Sequence, residues 1–155
     1  MVSCIDRPSR FSAVCARGLA ISALTVCSVV LLAGAGVRAQ PAQPAGSLFT
    51  EAQAKRGSAL YMENCAQCHR FDLAGGVQAP ALTGQAFTLR WGGKPLSEIF
   101  DYLRTAMPLN SPGGLSDQQN ADLLAFMLQK SGHVAGTSEL PASSQKLTGL
   151  KLAVR

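Results

Sequence analysis

Cys65-Ala66-Gln67-Cys68-His69 is the stretch of this chain whose residue types and spacing can do chemistry. Two thiols separated by two residues stand about one helical turn apart, and an imidazole follows at once. C-x-x-C-H is the attachment pattern of a c-type haem. The thiols add across the two vinyl groups on one edge of the porphyrin, and the imidazole reaches the iron from one face. The expected cofactor is one covalent haem c (iron) per chain, on Cys65 and Cys68, with His69 as an axial ligand. A thioredoxin-like C-x-x-C needs a βαβ setting, and the hydrophobic pattern offers none. A zinc site needs a second pair of ligands, and His133 is the only other histidine.

The other three cysteines, Cys4, Cys15 and Cys27, fall in a segment that reads as an export signal. Arg7, Arg10 and Arg17 precede an uncharged apolar run from Leu19 to Val37, which ends in Val37-Arg38-Ala39. That is the basic, apolar, small-residue layout of a secretory signal, with the cut expected after Ala39. An uncleaved membrane anchor is the alternative, because about 18 uncharged residues can span a bilayer. The whole chain has 155 residues, with 14 Lys+Arg against 9 Asp+Glu, net +5. The signal takes four basic residues and Asp6, so the mature chain keeps 10 basic and 8 acidic residues, net +2. The sequence pI near 9.2 therefore belongs largely to the signal. No basic stripe remains, and nucleic acid is not an expected partner.

The elements that must position the motif are helical. Residues 40–48 read as a flexible leader with Pro41 and Pro44. A first helix is expected from Thr50 to Cys65, opened by a Thr50/Gln53 capping box, with Ala54, Gly57 and Tyr61 on one face. Residues 70–94 are dense in glycine and proline and read as one long loop, a length that asks for something other than secondary structure to organise it. A second helix spans 96–104 on the stripe Leu96, Ile99, Phe100 and Leu103. Residues 107–115 are irregular. A third helix opens with the Ser116/Gln119 capping box and runs to about Gln129; its 123–128 run is apolar nearly all round, which suits burial on more than one side. The tail 132–155, with Leu147, Leu150, Leu152 and Val154, reads as extended or wrapping. The expected fold is all-α: about three main helices plus loops around one haem, with a haem domain at 49–131. Three short helices bury too little surface alone, so an apolar body at the centre is required.

Gly57, Tyr61, Cys65, Cys68 and His69 stand in the spacing G-x-x-x-aromatic-x-x-x-C-x-x-C-H, and Pro80-Ala81-Leu82-Thr83-Gly84 follows. Over about residues 50–130 the chain resembles the class I cytochromes c, the small mono-haem electron-transfer proteins. The resemblance implies that the first and last helices cross closely at Gly57 and Tyr61, against Leu123 and Phe126. It also implies that the Pro80 carbonyl accepts the second N–H of His69. A narrower likeness lies in Trp91-Gly92-Gly93, Met107-Pro108, 111–115 and the tail 135–141. These resemble cytochromes that serve PQQ-dependent alcohol or sugar dehydrogenases.

The sixth iron position decides the function. Candidates are Met62, Met107, Met127, His133 or no residue at all. Met62 is too close to the attachment site to cross the haem plane, Met127 suits core packing, and His133 reads as a solvent-exposed loop histidine. Met107 lies in a Pro/Gly-rich loop, and the family commonly has its methionine ligand before a proline here, so Met107 is the expected ligand. Trp91 can give its indole N–H to a haem propionate or pack in the core; Arg90 and Lys94 can meet propionates or stay solvated. With both axial positions filled, the protein moves single electrons and is not an enzyme. The expected role is a periplasmic carrier, a monomer or a subunit of a redox complex. It would take electrons from a dehydrogenase, PQQ-dependent by the narrower likeness, and pass them to an oxidase or another cytochrome. The alternatives are a permanent haem subunit of a dehydrogenase complex and a five-coordinate gas sensor or peroxidase. The membrane becomes a partner only if the signal stays uncut.

Overall fold

The computed structural model describes residues 47–153. The expected export signal at 1–39 and most of the expected leader lie outside the described residues. Six helices follow in order: α1 (Glu51–Asn64), α2 (Ala66–His69), α3 (Gly84–Trp91), α4 (Leu96–Ala106), α5 (Asp117–Lys130) and α6 (Ser144–Leu147). The fold is all-α; among the described residues the only β pairings are isolated bridges, Thr50 with Gly136 and Pro95 with Lys151.

Both expected N-terminal caps exist, but they differ. Ser116 and Gln119 form a full capping box at the start of α5. At α1 only half of the box forms: Thr50 Oγ1 accepts the Gln53 N–H at 3.1 Å. The Gln53 side chain turns away from the cap, because the tail offers it two buried backbone groups. Its Nε2 donates to the Leu140 carbonyl (3.0 Å), and its Oε1 accepts the Leu140 N–H (2.7 Å). In α4, Glu98 in the first turn and Arg104 in the last complement the helix dipole.

The centre of the fold is the crossing of α1 and α5. Gly57 makes it possible: a Cβ there would overlap the Asp122 carbonyl and sit 2.9 Å from the Phe126 Cβ. The two backbones therefore touch. Tyr61 packs on Phe126 with ring centroids 5.4 Å apart. Residues 120–128 are all buried, and the unbroken apolar run at 123–128 requires this of its part. The Asp122 carboxylate is buried too, and Arg56 neutralises it with two bonds of 2.8 and 2.9 Å. Those bonds are the largest cause raising the Arg56 pKa above its ordinary range, followed by a bond to Glu139.

Two expectations need correction. The 70–94 stretch is not all loop, because α3 occupies Gly84–Trp91. It buries only Phe87 and Trp91, a pattern too sparse to stand out among the surrounding glycines. His133 is not solvent-exposed; it is buried at 6% exposure, because the chain folds back on α5 directly after Gly132.

Residues 132–153 wrap the helices. The Gly136 N–H donates to the Phe49 carbonyl, Leu140 sits on Gln53, Glu139 meets Arg56, and Ser144 Oγ donates to Asp101 Oδ2 at 2.6 Å. Leu140, Leu147 and Leu152 enter the core. The tail includes one turn of helix, α6, that its leucine alternation does not announce. No helix among the described residues is long and apolar enough to cross a membrane.

Candidate haem site

The end of α1 and the short α2 deliver the motif. The Cys68 and His69 N–H groups both donate to the Cys65 carbonyl, so 65–69 is a tight helical turn. Cys65 and Cys68 are free, the first half-buried and the second exposed. Burial, and then the neighbouring Cys68, push the Cys65 thiol up to about 11.

After His69 the chain turns sharply through Arg70 at φ 67°, whose carbonyl accepts the Tyr61 hydroxyl at 2.6 Å. Burial raises the Tyr61 phenol and keeps it protonated as that donor. Residues 73–82 then fold over themselves, with the Leu82 N–H on the Leu73 carbonyl and the Gly76 N–H on the Ala79 carbonyl. Gly75, at φ +69°, allows this, because a side chain there would collide with the backbone of residues 79–81. The loop ends with the Pro80 carbonyl 2.8 Å from His69 Nδ1. A carbonyl only accepts, so Nδ1–H is the donor, and Nε2 is the ring nitrogen left for a metal.

Next to this imidazole lies a cavity of about 490 Å³. Its lining brings together Cys65, Cys68, His69, Pro80, Trp91 and Met107. Met127 lines it as well, from inside α5, at 3% exposure. Met62 does not; it points outward, half-exposed. His133 borders a different cleft, behind α3.

Trp91 belongs to a cluster that sequence reasoning saw only in part. Its ring stands 5.8 Å from Tyr102. The Arg90 guanidinium lies 5.1 Å from the Trp91 centroid and 5.2 Å from that of Tyr102, and Lys94 lies 5.2 Å from Trp91. Arg90 has no carboxylate within ion-pair distance among the described residues, whereas Lys94 pairs with Glu98 at 3.6 Å. Tyr102 was the missed member. It is three residues from Ile99 and next to Leu103, and both of those line the cavity with it; it stands at the edge of the apolar stripe, 38% exposed, where periodicity alone does not single it out.

The residues present fit a haem. A largely apolar cavity within the usual range of about 300–1,000 Å³ is edged by two thiols on one helical turn. An oriented imidazole with a free Nε2 lies on its wall. Thioether, indole and guanidinium groups complete the lining.

Comparison with known proteins agrees. Residues 52–127 match the family model described as cytochrome C oxidase, cbb3-type, subunit III. Among solved structures, the chain is similar to one in the crystal structure of the sulfane dehydrogenase SoxCD from Paracoccus pantotrophus. The identity is 27% and the TM-score 0.52, over 87% of this chain and 68% of that one. Among curated proteins no significant match is found. Motif, cavity and likeness converge: the chain is a cytochrome c-type electron carrier with one haem c bound covalently through Cys65-Ala66-Gln67-Cys68-His69.

Proposed function

We propose that the protein is an exported, periplasmic one-electron carrier in which His69 and Met107 are the two axial ligands of the haem iron. The observation that carries this reading is the common cavity lined by Cys65, Cys68, His69 and Met107. When bound, the haem supplies a one-electron ferric/ferrous couple, and a thioether ligand favours the ferrous side. The chain's own residues do the rest. Pro80 holds the imidazole in one orientation through Nδ1–H. Met107, at the C-terminal end of α4, offers its sulfur from a loop. The apolar lining from Phe87, Ile99, Leu103 and Leu123 keeps water away. Trp91 and Arg90 carry N–H donors that would meet the carboxylates of a bound haem.

The test is an absorbance spectrum of the haem-loaded protein, oxidised and reduced, with and without carbon monoxide. The wild type should be low-spin and indifferent to carbon monoxide. Met107→Ala should turn high-spin and bind it, while Met127→Leu should leave the spectrum unchanged. Carbon monoxide binding by the wild type would instead favour a five-coordinate sensor or peroxidase. A mass for the exported protein that begins at Gln40 supports cleavage after Ala39; an intact N-terminus moves the protein to the membrane surface.

The donor in this reading is a dehydrogenase, PQQ-dependent on the strength of the loop and tail likeness, and the acceptor is an oxidase or another cytochrome. A second reading, a permanent haem subunit of a dehydrogenase complex, gains support from the likeness to a chain of a sulfane dehydrogenase. Co-purification with a dehydrogenase at constant stoichiometry through high salt would favour the subunit; loss of the partner would favour the shuttle.

A further inference from the structure

We propose that residues 150–152 are a positioning strap that holds the Arg90, Trp91 and Tyr102 wall of the haem cavity. The inference rests on the haem occupying that cavity.

The wall needs holding. α3 has two turns, buries only Phe87 and Trp91, and faces the haem cavity on one side. Behind it lies a second cleft of about 400 Å³, bordered by Phe87, Thr88, Ser131, His133 and Leu152. A short helix between two spaces has little packing of its own to fix it.

The tail supplies the fixing at the turn that follows Trp91. The Gly93 N–H donates to the Leu152 carbonyl (2.9 Å), the Leu152 N–H to the Lys94 carbonyl (3.0 Å), and the Leu96 N–H to the Leu150 carbonyl (2.7 Å). Leu152 is buried at 2% exposure and also closes one side of the rear cleft. Upstream, Ser144 bonds Asp101, the residue before Tyr102. Residues 150–152 thus grip the turn just beyond Trp91 and the first residue of α4, while Ser144 separately holds α4 just before Tyr102. The tail thereby sets the spacing of the aromatic pair that the Arg90 guanidinium overlies.

Trp91 is the only tryptophan in the chain, so it reports on this wall directly. Haem near an indole quenches its emission, and a wall that swings outward regains it. The experiment uses haem-loaded Leu152→Ala and a chain ending at Gly149, with Leu152→Ile as the conservative control. Haem content by pyridine haemochrome and helix content by circular dichroism are measured on each. The expected result is full haem content and helix content, with a severalfold rise in Trp91 emission and a lowered reduction potential as water reaches the cavity. The truncated chain should exceed Leu152→Ala in both, and Leu152→Ile should match the wild type. Folded, haem-loaded variants with wild-type emission and potential would overturn the proposal and leave the tail a stabilising or docking segment. If the truncated chain loses its helix signal, Leu152→Ala decides. Wild-type protein without haem would sink the haem reading itself, which is a distinguishable failure.

Discussion

The α1–α5 crossing and the α3 wall solve opposite problems. At the crossing, two helices meet backbone to backbone at Gly57, and a buried carboxylate and a buried amide side chain both find partners. Order there comes from the chain's contacts with itself. At the wall, a two-turn helix and an aromatic pair overlaid by the Arg90 guanidinium face a cavity of about 490 Å³ among the described residues. Order there depends on a guest and on a strap. Half of this small fold is thus self-sufficient, and the other half is built to be completed.

The largest way to break this contrast is to remove the guest. Cys65→Ala/Cys68→Ala abolishes covalent attachment. The largely apolar lining of the cavity of about 490 Å³ would then face water, which removes much of the burial that holds the α3 side. The expected outcome is a haem-free chain without a cooperative unfolding transition by calorimetry. A cooperative transition near that of the wild type would show that the α3 side is self-supporting.

A change on the crossing side should be severe but smaller. Gly57→Ala gains about 1 kcal/mol of helix propensity. It also places a methyl group into the Asp122 carbonyl, which is helix backbone and cannot step aside. We expect a net loss of about 3 kcal/mol, seen as a fall of roughly 12–24 °C in the thermal midpoint. The haem should stay attached. A neutral result would mean that the helices can part there without cost.

The same division explains what could be read from sequence. Where local chemistry decides, residues were legible. Ser116 and Gln119 marked the start of α5, the stripe Leu96, Ile99, Phe100 and Leu103 marked α4, and C-x-x-C-H marked the haem site. Where distant chain decides, they were not. Gln53 looked like a cap partner, but a tail residue 87 positions away claims its amide. α3 was hidden because two buried residues per two turns make no stripe; its order comes from the cavity and the tail. His133 looked like a loop residue, because nothing nearby in sequence announces that the chain folds back over it.

The smallest expected effects sharpen the comparison within the tail. Gln53 is fully buried and satisfies both backbone groups of Leu140. Gln53→Ala strands a donor and an acceptor away from water, for about 2 kcal/mol of lost stability. Glu139, one residue earlier, makes an ion pair with Arg56 at 2.9 Å, yet both side chains are more than two-fifths exposed. Water screens that pair, and Asp122 keeps its own two bonds to Arg56. Glu139→Ala should therefore cost no more than about 0.5 kcal/mol in urea unfolding. Neither change touches 150–152, so Trp91 emission should stay at the wild-type level in both. A rise in emission with Gln53→Ala would mean that the tail grips as one unit from Leu140 to Leu152, and that the crossing and the wall are coupled through it.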